Sequence, residues 1–196
     1  MIHNTLHNIK VVLASASPRR KQIFELLGIN ALIVPANVSE PITTEKPYIQ
    51  VKAHALNKAL AIAKFMDPAT LVVGSDTIVA IDNQVLGKPA TRRQATEHLQ
   101  QLSGRTHNVY SAICIIYNNR RLVDYARTSV TFATLSESDI KNYLDTKEPF
   151  DKAGAYGVQG YGSQFIEKIN GCYFNVMGFP VRLFHDMINE MFGESS

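Results

Sequence analysis

The sequence predicts a mixed α/β or α+β fold built on one long twisted sheet. Three observations carry that expectation. Strand-like and helical runs alternate from the amino terminus onward. Several neighbouring strands read as antiparallel pairs. A chain of 196 residues, 45% hydrophobic and 19% charged, has enough apolar material for one sizeable core. One domain over residues 1–196 is expected, with a pinch into two lobes.

Residues 11–14, VVLA, read as a short buried strand. Ser17 then offers a side-chain cap, with Pro18 at the first helical position and Arg19 and Arg20 in the first turn. Ile23, Phe24, Leu26 and Leu27 give this helix a buried side, and Gly28 ends it. A second strand, ALIVP, starts at Ala31. Residues 36–47 are polar, carry Pro41 and Pro47, and form a loop. Helical spacing returns from Tyr48 to Phe65, with Val51, Ala55, Ala59 and Ile62 on one side. His54 and Lys58, four apart, share a face of that helix.

In residues 70–89, TLVVGSDTIVAIDNQVLGKP, two strand-like runs flank the polar insert Gly74-Ser75-Asp76-Thr77, and Asp82-Asn83 marks a hairpin turn. Residues 91–102 form a helix on an Ala95, Leu99 and Leu102 stripe. Residues 107–117 and 121–133 read as two long strands joined at YNNRR. Ser136 caps the next helix, with Asp139 three residues later. Beyond residue 150 the chain is glycine-rich, then strand-like at QFIEKI, with a turn at Asn170-Gly171 and a final helix near Pro180. The apolar residues of that last helix either build a dimer contact or cover the core.

Several classes of function lose support. Twenty Lys plus Arg against 17 Asp plus Glu leave a net charge of +3, too weak a footprint to hold a nucleic acid. RNP-like aromatics, a KH GxxG context and a long basic stripe are missing, which also argues against nucleic acid. Cys114 and Cys172 sit in apolar and aromatic surroundings and read as reduced and buried, with a single disulfide as the alternative. Without CxxC or HExxH, no dedicated zinc site is expected. No apolar run reaches membrane-spanning length, and MIHNTLHNIK lacks a signal-peptide shape, so a cytoplasmic protein away from membranes is expected. The absence of GxxxxGK[ST], and of GxGxxG after the first strand, weighs against kinase-like and dinucleotide-binding readings.

The remaining polar groups divide between chemistry and ordinary structure. Cations near a helix N-terminus, such as Arg19 and Arg20, are unfavourable by about 0.3–1 kcal/mol each. A bound anion reverses that sign. Backbone N–H groups, Ser15, Ser17 and two guanidiniums would then surround phosphate oxygens. The same residues fit an exposed capped helix with incidental basic side chains. Asp76 follows VVG at the expected end of a buried strand, where α/β sheets place ligands. A carboxylate there suits a divalent cation or a proton taken from water, and equally a turn aspartate bonded to its own backbone. Glu40 lies in the long loop, Lys58 on a helix, and Lys88 before Pro89, whose ring holds the preceding residue extended. Each also reads as a solvated side chain. In KAGAYGVQG, residues 152–160, small residues allow close approach of the backbone to a ligand, Tyr156 suits packing on a base, and Gln159 suits reading a planar amide or a phosphate-bound water. A loop turning sharply against the core fits as well.

LASASPRR, GSDTIV, LGKP, LSGRTHNVYSA and DKAGAYGVQG, in that order from about Val11 to the last helix, resemble the signatures of the Maf family of nucleotide pyrophosphatases. The resemblance implies an elongated two-lobed fold with the active-site cleft between the lobes. It implies hydrolysis of a nucleoside triphosphate to the monophosphate and pyrophosphate, a divalent cation (Mg or Mn), and a homodimer. On matching positions it implies Ser15 and Arg20, with Arg19 beside them, in the opening phosphate-binding signature. It implies Glu40 as a loop carboxylate, Lys58 as a helix lysine, Asp76 as the catalytic carboxylate, and Lys88 and Gln159 as later polar groups of the site. Asp76 and Glu40 are the implied metal ligands. AGAYGVQG resembles the branch acting on dTTP and UTP. The alternatives are the 7-methyl-GTP branch of the same fold and a non-catalytic nucleotide- or RNA-binding regulator, since the family is linked to septum formation.

Overall fold

Alternation in the sequence resolves into a mixed sheet with helices on both faces. The computed structural model describes residues 1–193. Along the chain run α1 (Ile2–Thr5), β1 (Val11–Ala14), α2 (Pro18–Leu26), β2 (Ala31–Ile33) and α3 (Pro47–Ala63). Then come β3 (Leu71–Ile81), β4 (Gln84–Leu86), α4 (Arg92–Leu102), β5 (Thr106–Tyr117), β6 (Arg120–Phe132) and α5 (Glu137–Asp145). Short 3-10 turns between Glu148 and Phe165 lead to β7 (Ile166–Asn170), α6 (Tyr173–Met177) and α7 (Val181–Phe192). Among the described residues the sheet order is β2-β1-β3-β5-β6-β7, with β4 paired to β3. β1 is parallel to β2 and to β3, and every other pairing is antiparallel. The mixed α+β class is the one the sequence predicts.

Local signals set the element ends. Ser17, Thr91 and Ser136 each cap a helix through a side-chain oxygen, and Ser136 with Asp139 closes a full capping box. Asp82-Asn83 and Asn118-Asn119 take paired left-handed conformations, with φ of 51° and 65°, and 47° and 62°. That pairing matches the strand twist and turns β3 into β4 and β5 into β6. Leu26 departs from its expected burial: it is 69% exposed, and the buried side of α2 consists of Arg20, Ile23 and Phe24. The apolar face of α7 (Phe184, Met187, Ile188 and Met191) is buried, so it covers the core. Both cysteines are free, Cys114 buried and Cys172 only half-buried. No helix among the described residues is long and apolar enough to cross a membrane.

The sequence reading places Asp76 at a strand end. It lies instead inside β3, opposite Ala112 of β5. Two physical reasons keep the polar insert extended. Gly74 lets α3 lie directly on the strand, since a Cβ there would fall 2.7 Å from the Ala59 nitrogen and also meet the Ala55 carbonyl. Ser75 and Thr77, on the opposite face, bond to the Gly178 carbonyl at 3.4 and 3.3 Å, and Thr77 also meets the Ser111 hydroxyl at 2.9 Å. Successive side chains of a strand point to opposite faces, so Gly74 and Asp76 look toward α3 together.

β3 also changes partner along one edge. Leu71–Gly74 pair with β1, and Val79–Ile81 pair with β4. Residues 75–78 between them have a ladder only on the β5 side. At about 3.3 Å per residue, the gap between β1 and β4 is roughly 16 Å.

Farther along, His107 of β5 is fully buried, edge-on to Phe132, with Nε2 2.7 Å from the Tyr156 hydroxyl. The glycine-rich segment wraps the Glu148 carboxylate, which accepts from the Tyr161 and Gly162 backbone N–H groups at 2.9 and 3.2 Å and from the Tyr143 hydroxyl at 3.1 Å. Gly154, with φ of +68°, presses on Val79, where a Cβ would come within 2.8 Å of a methyl. At Gly154 the segment turns against the core, the alternative that the sequence leaves open.

Gly74→Ala forces a methyl into the α3 backbone, and overpacking of this kind costs about 1–3 kcal/mol, read as a lower denaturation midpoint; an unchanged midpoint would contradict the close contact. Burial pushes His107 down to about 4 from 6.5. The unfolded chain then binds a proton that the folded chain refuses between those values. Stability is full above pH 6.5 and falls toward pH 4, by on the order of 3 kcal/mol from this group. His107→Gln should flatten that slope, and an unchanged slope would contradict the burial argument.

Candidate active site

A cavity of about 760 Å³ opens at the unpaired edge of β3. Because it enters at a sheet edge, side chains from both faces line it, Asp76 and Ile78 from one and Thr77 and Val79 from the other. Ser15, Arg19, Arg20, Glu40, Lys58, Asp76, Lys88 and Tyr156 all line this one cavity. Gln159 does not: it is exposed and absent from the lining, because the turn after Tyr156 carries Val158 to the cavity and Gln159 outward.

α3 organises the charged end. Gln50, His54 and Lys58 recur every four residues and form one row. Each grips the loop that the sequence reading left without structure. The Gln50 carboxamide accepts from the Thr43 N–H at 2.9 Å and donates to the Thr43 and Glu45 carbonyls. His54 Nε2 lies 3.2 Å from the Pro41 carbonyl, and Lys58 Nζ lies 2.6 Å from Glu40 Oε1. The same lysine donates to Asp76 Oδ1 at 2.7 Å, and His54 Nδ1 lies 3.0 Å from Asp76 Oδ2. Both ring nitrogens of His54 thus face acceptors, so both bonds form together only in the protonated ring. The hydrogen bond to Asp76 raises the His54 pKa, with burial opposing it. Burial alone would raise the Asp76 pKa. The bond from His54 and the charges of Lys58 and Arg20 outweigh it and hold the carboxyl at about 2.

The first turn of α2 brings both arginines to the cavity. Arg20 is buried, and its guanidinium donates to the Gly178 carbonyl at 2.8 Å, the Ser15 hydroxyl at 3.1 Å and the Thr77 hydroxyl at 3.0 Å. It braces β1, β3 and the α6–α7 junction with most of its donors. Burial pushes its pKa below the usual value, with Asp76 and Glu40 opposing. Arg19 is only half-buried and faces the cavity. Lys88 is exposed at the rim.

Glu40, His54 and Asp76 each bring a candidate ligand atom within 4.8 Å of the others. Their chemistry separates them. The carboxylates offer hard oxygen donors of the kind that Mg and Mn prefer. His54, with both nitrogens turned to acceptors, is committed as a donor. The sequence reading missed His54, Thr77 and Gly178 as site groups. His54 had one legible signal, its shared face with Lys58.

Comparison with known proteins supplies a family. A family profile described as Maf-like protein matches residues 10–191. A Bacillus cereus protein named dTTP/UTP pyrophosphatase is 45% identical over 173 residues, 88% of this chain and 90% of that one. A Thermoanaerobacter protein of the same name is 40% identical over 186 residues, 94% of this chain and 97% of that one. The solved structure of the Staphylococcus aureus Ham1 protein shares the fold, with a TM-score of 0.51 over 93% of this chain and 99% of that one, at 13% identity. The matched span and these identities make the chain a member of the Maf family.

Proposed function

We propose that this protein hydrolyses nucleoside triphosphates, dTTP and UTP first among them, to the monophosphate and pyrophosphate. One observation carries the reading: cations and carboxylates converge on Asp76 at an open sheet edge, in a cavity large enough for a nucleotide. Membership of the Maf family, with relatives named dTTP/UTP pyrophosphatases, supports the pyrophosphatase chemistry and the choice of pyrimidine.

A triphosphate is polyanionic, and the residues have separable tasks. Arg19, Lys58 and Lys88 neutralise and orient its oxygens. Lys58 has three N–H bonds and spends two on Glu40 and Asp76, so one remains for phosphate. Ser15 accepts from the Arg20 guanidinium and from the Ser17 N–H at 3.2 Å, which leaves its own hydrogen for a phosphate oxygen. Arg20 is a positioning residue, because its contacts hold Ser15 and Thr77 at the cavity wall. Glu40 and Asp76 would hold a divalent cation, Mg or Mn, which supplies charge neutralisation and polarisation of the phosphate oxygens.

In the proposed reaction a water oxygen forms a bond to the α-phosphorus while the bond to the bridging oxygen breaks, and pyrophosphate leaves. Held at about 2, Asp76 is a weak proton acceptor in its resting contacts. Lys58 turning toward the triphosphate would loosen one of those contacts and raise the carboxylate's proton affinity at the moment of attack. The lysines and Arg19 then stabilise the charge that grows on the departing pyrophosphate. A cytoplasmic homodimer completes the proposal.

Pyrophosphate release from the eight standard nucleoside triphosphates plus 7-methyl-GTP tests this reading. dTTP and UTP should lead, and a preference for 7-methyl-GTP would overturn the substrate assignment. Asp76→Asn keeps the shape and should lower kcat by about a hundred-fold or more, within the general-base range; near-normal turnover would remove Asp76 from the mechanism. Chelation of divalent cations should abolish release, and added Mg or Mn should restore it. Full activity after chelation would rule out the carboxylate-bound cation.

A further inference from the structure

We propose that the α4 end of the cavity seats the nucleobase, with the His98 imidazole and the Gln101 carboxamide forming hydrogen bonds to the base edge. The proposal rests on the nucleotide reading of the cavity and assigns its specificity. Among the described residues, four buried side-chain polar atoms lack a hydrogen-bond partner: His98 Nδ1, Gln101 Oε1, His107 Nδ1 and Asn175 Oδ1. Buried polar groups are nearly always paired, so each of these needs a reason. His107 and Asn175 stand away from the cavity, whereas His98 and Gln101 both line it. His98 is only 7% exposed. The two residues lie three apart on α4 and share a face.

Position along the sheet fits a nucleotide. Val79 stands in register with Leu86 of β4 and Val109 of β5, and all three line the cavity at this end. Asp76 is three residues back along β3, about 10 Å at the usual strand rise, a gap of the order that a sugar and its first phosphate bridge. Leu86, Val109 and Tyr156 give this end apolar and aromatic walls for the faces of a flat ring.

The donor pattern fits uracil and thymine. Their edge presents a carbonyl, an N–H and a second carbonyl in a row. Gln101 Oε1 would accept the ring N–H, and Gln101 Nε2 would donate to one flanking carbonyl. Burial lowers the His98 pKa, so the ring is neutral near pH 7 and carries one N–H. That N–H would donate to the other carbonyl. Both unpaired atoms would thereby gain partners only when the base is bound. Sites that leave buried polar groups unpaired against the wrong ligand discriminate strongly.

Steady-state kinetics on dTTP, UTP and dCTP, with melting temperatures, test the assignment in the unaltered 196-residue chain and in His98→Leu and Gln101→Met. Each variant should raise KM for dTTP and UTP about tenfold for a lost hydrogen bond, leave kcat within about twofold, and shrink the preference for dTTP over dCTP by a similar factor. Melting temperatures should hold or rise, because each change removes an unpaired buried atom. Unchanged KM and preference in both variants, with wild type active on dTTP and UTP, would overturn the subsite alone. Lower melting temperature with unchanged preference would mark both groups as structural and overturn it too. Wild type inert toward both pyrimidine triphosphates would overturn the nucleotide reading beneath it.

Discussion

Gly74 carries no side chain, and the backbone of α3 fills the space where one would lie. At that separation Lys58 and His54, one turn apart on α3, both reach the Asp76 carboxylate two residues farther along β3. A buried carboxylate without partners would shift its pKa upward and lose its charge. Here the hydrogen bond from His54 and the charges of Lys58 and Arg20 hold it ionised. His54 and Lys58, with Gln50 one turn earlier, also catch the loop that brings Glu40 and Pro41 over the strand. One close helix–strand contact therefore sets the charge of the site and the shape of the loop that covers it.

The second constraint is the change of partner along β3. Where β1 stops and β4 has not begun, the strand presents an edge with no ladder, and the cavity occupies it. Arg20 fixes one rim of that opening by tying the start of α2 to Thr77 and to Gly178. Charged groups from α2, α3 and the loop surround Asp76, while Leu86 of β4 and Val109 of β5 line the cavity beside the polar side chains Gln94, Glu97, His98 and Gln101 of α4.

Features with short-range causes were legible in the sequence. Caps at Ser17 and Ser136, the Asp82-Asn83 turn, and the buried stripe of α3 all rest on interactions within a few residues. Long-range causes were not. β3 runs unbroken through Ser75-Asp76-Thr77 because β5 pairs with it throughout and Gly178 satisfies its hydroxyls, partners more than thirty residues away. The contact of Arg20 with the Gly178 carbonyl, 158 residues later, has no local signal in the sequence. Gln159 shares a motif with cavity-lining neighbours, yet the turn after Tyr156 sends it outward. The family signatures brought most of the charged residues to one cavity, because they mark positions that converge in space whatever their separation in the chain.

The proposed reaction is attack of water on the α-phosphorus of a nucleotide bound across the open edge of β3. Hydrolysis of dTTP in ¹⁸O-labelled water, with mass analysis of both products, tests it most directly. Label should appear in the thymidine monophosphate and not in the pyrophosphate. Label in pyrophosphate, or release of a nucleoside diphosphate with labelled phosphate, would contradict it.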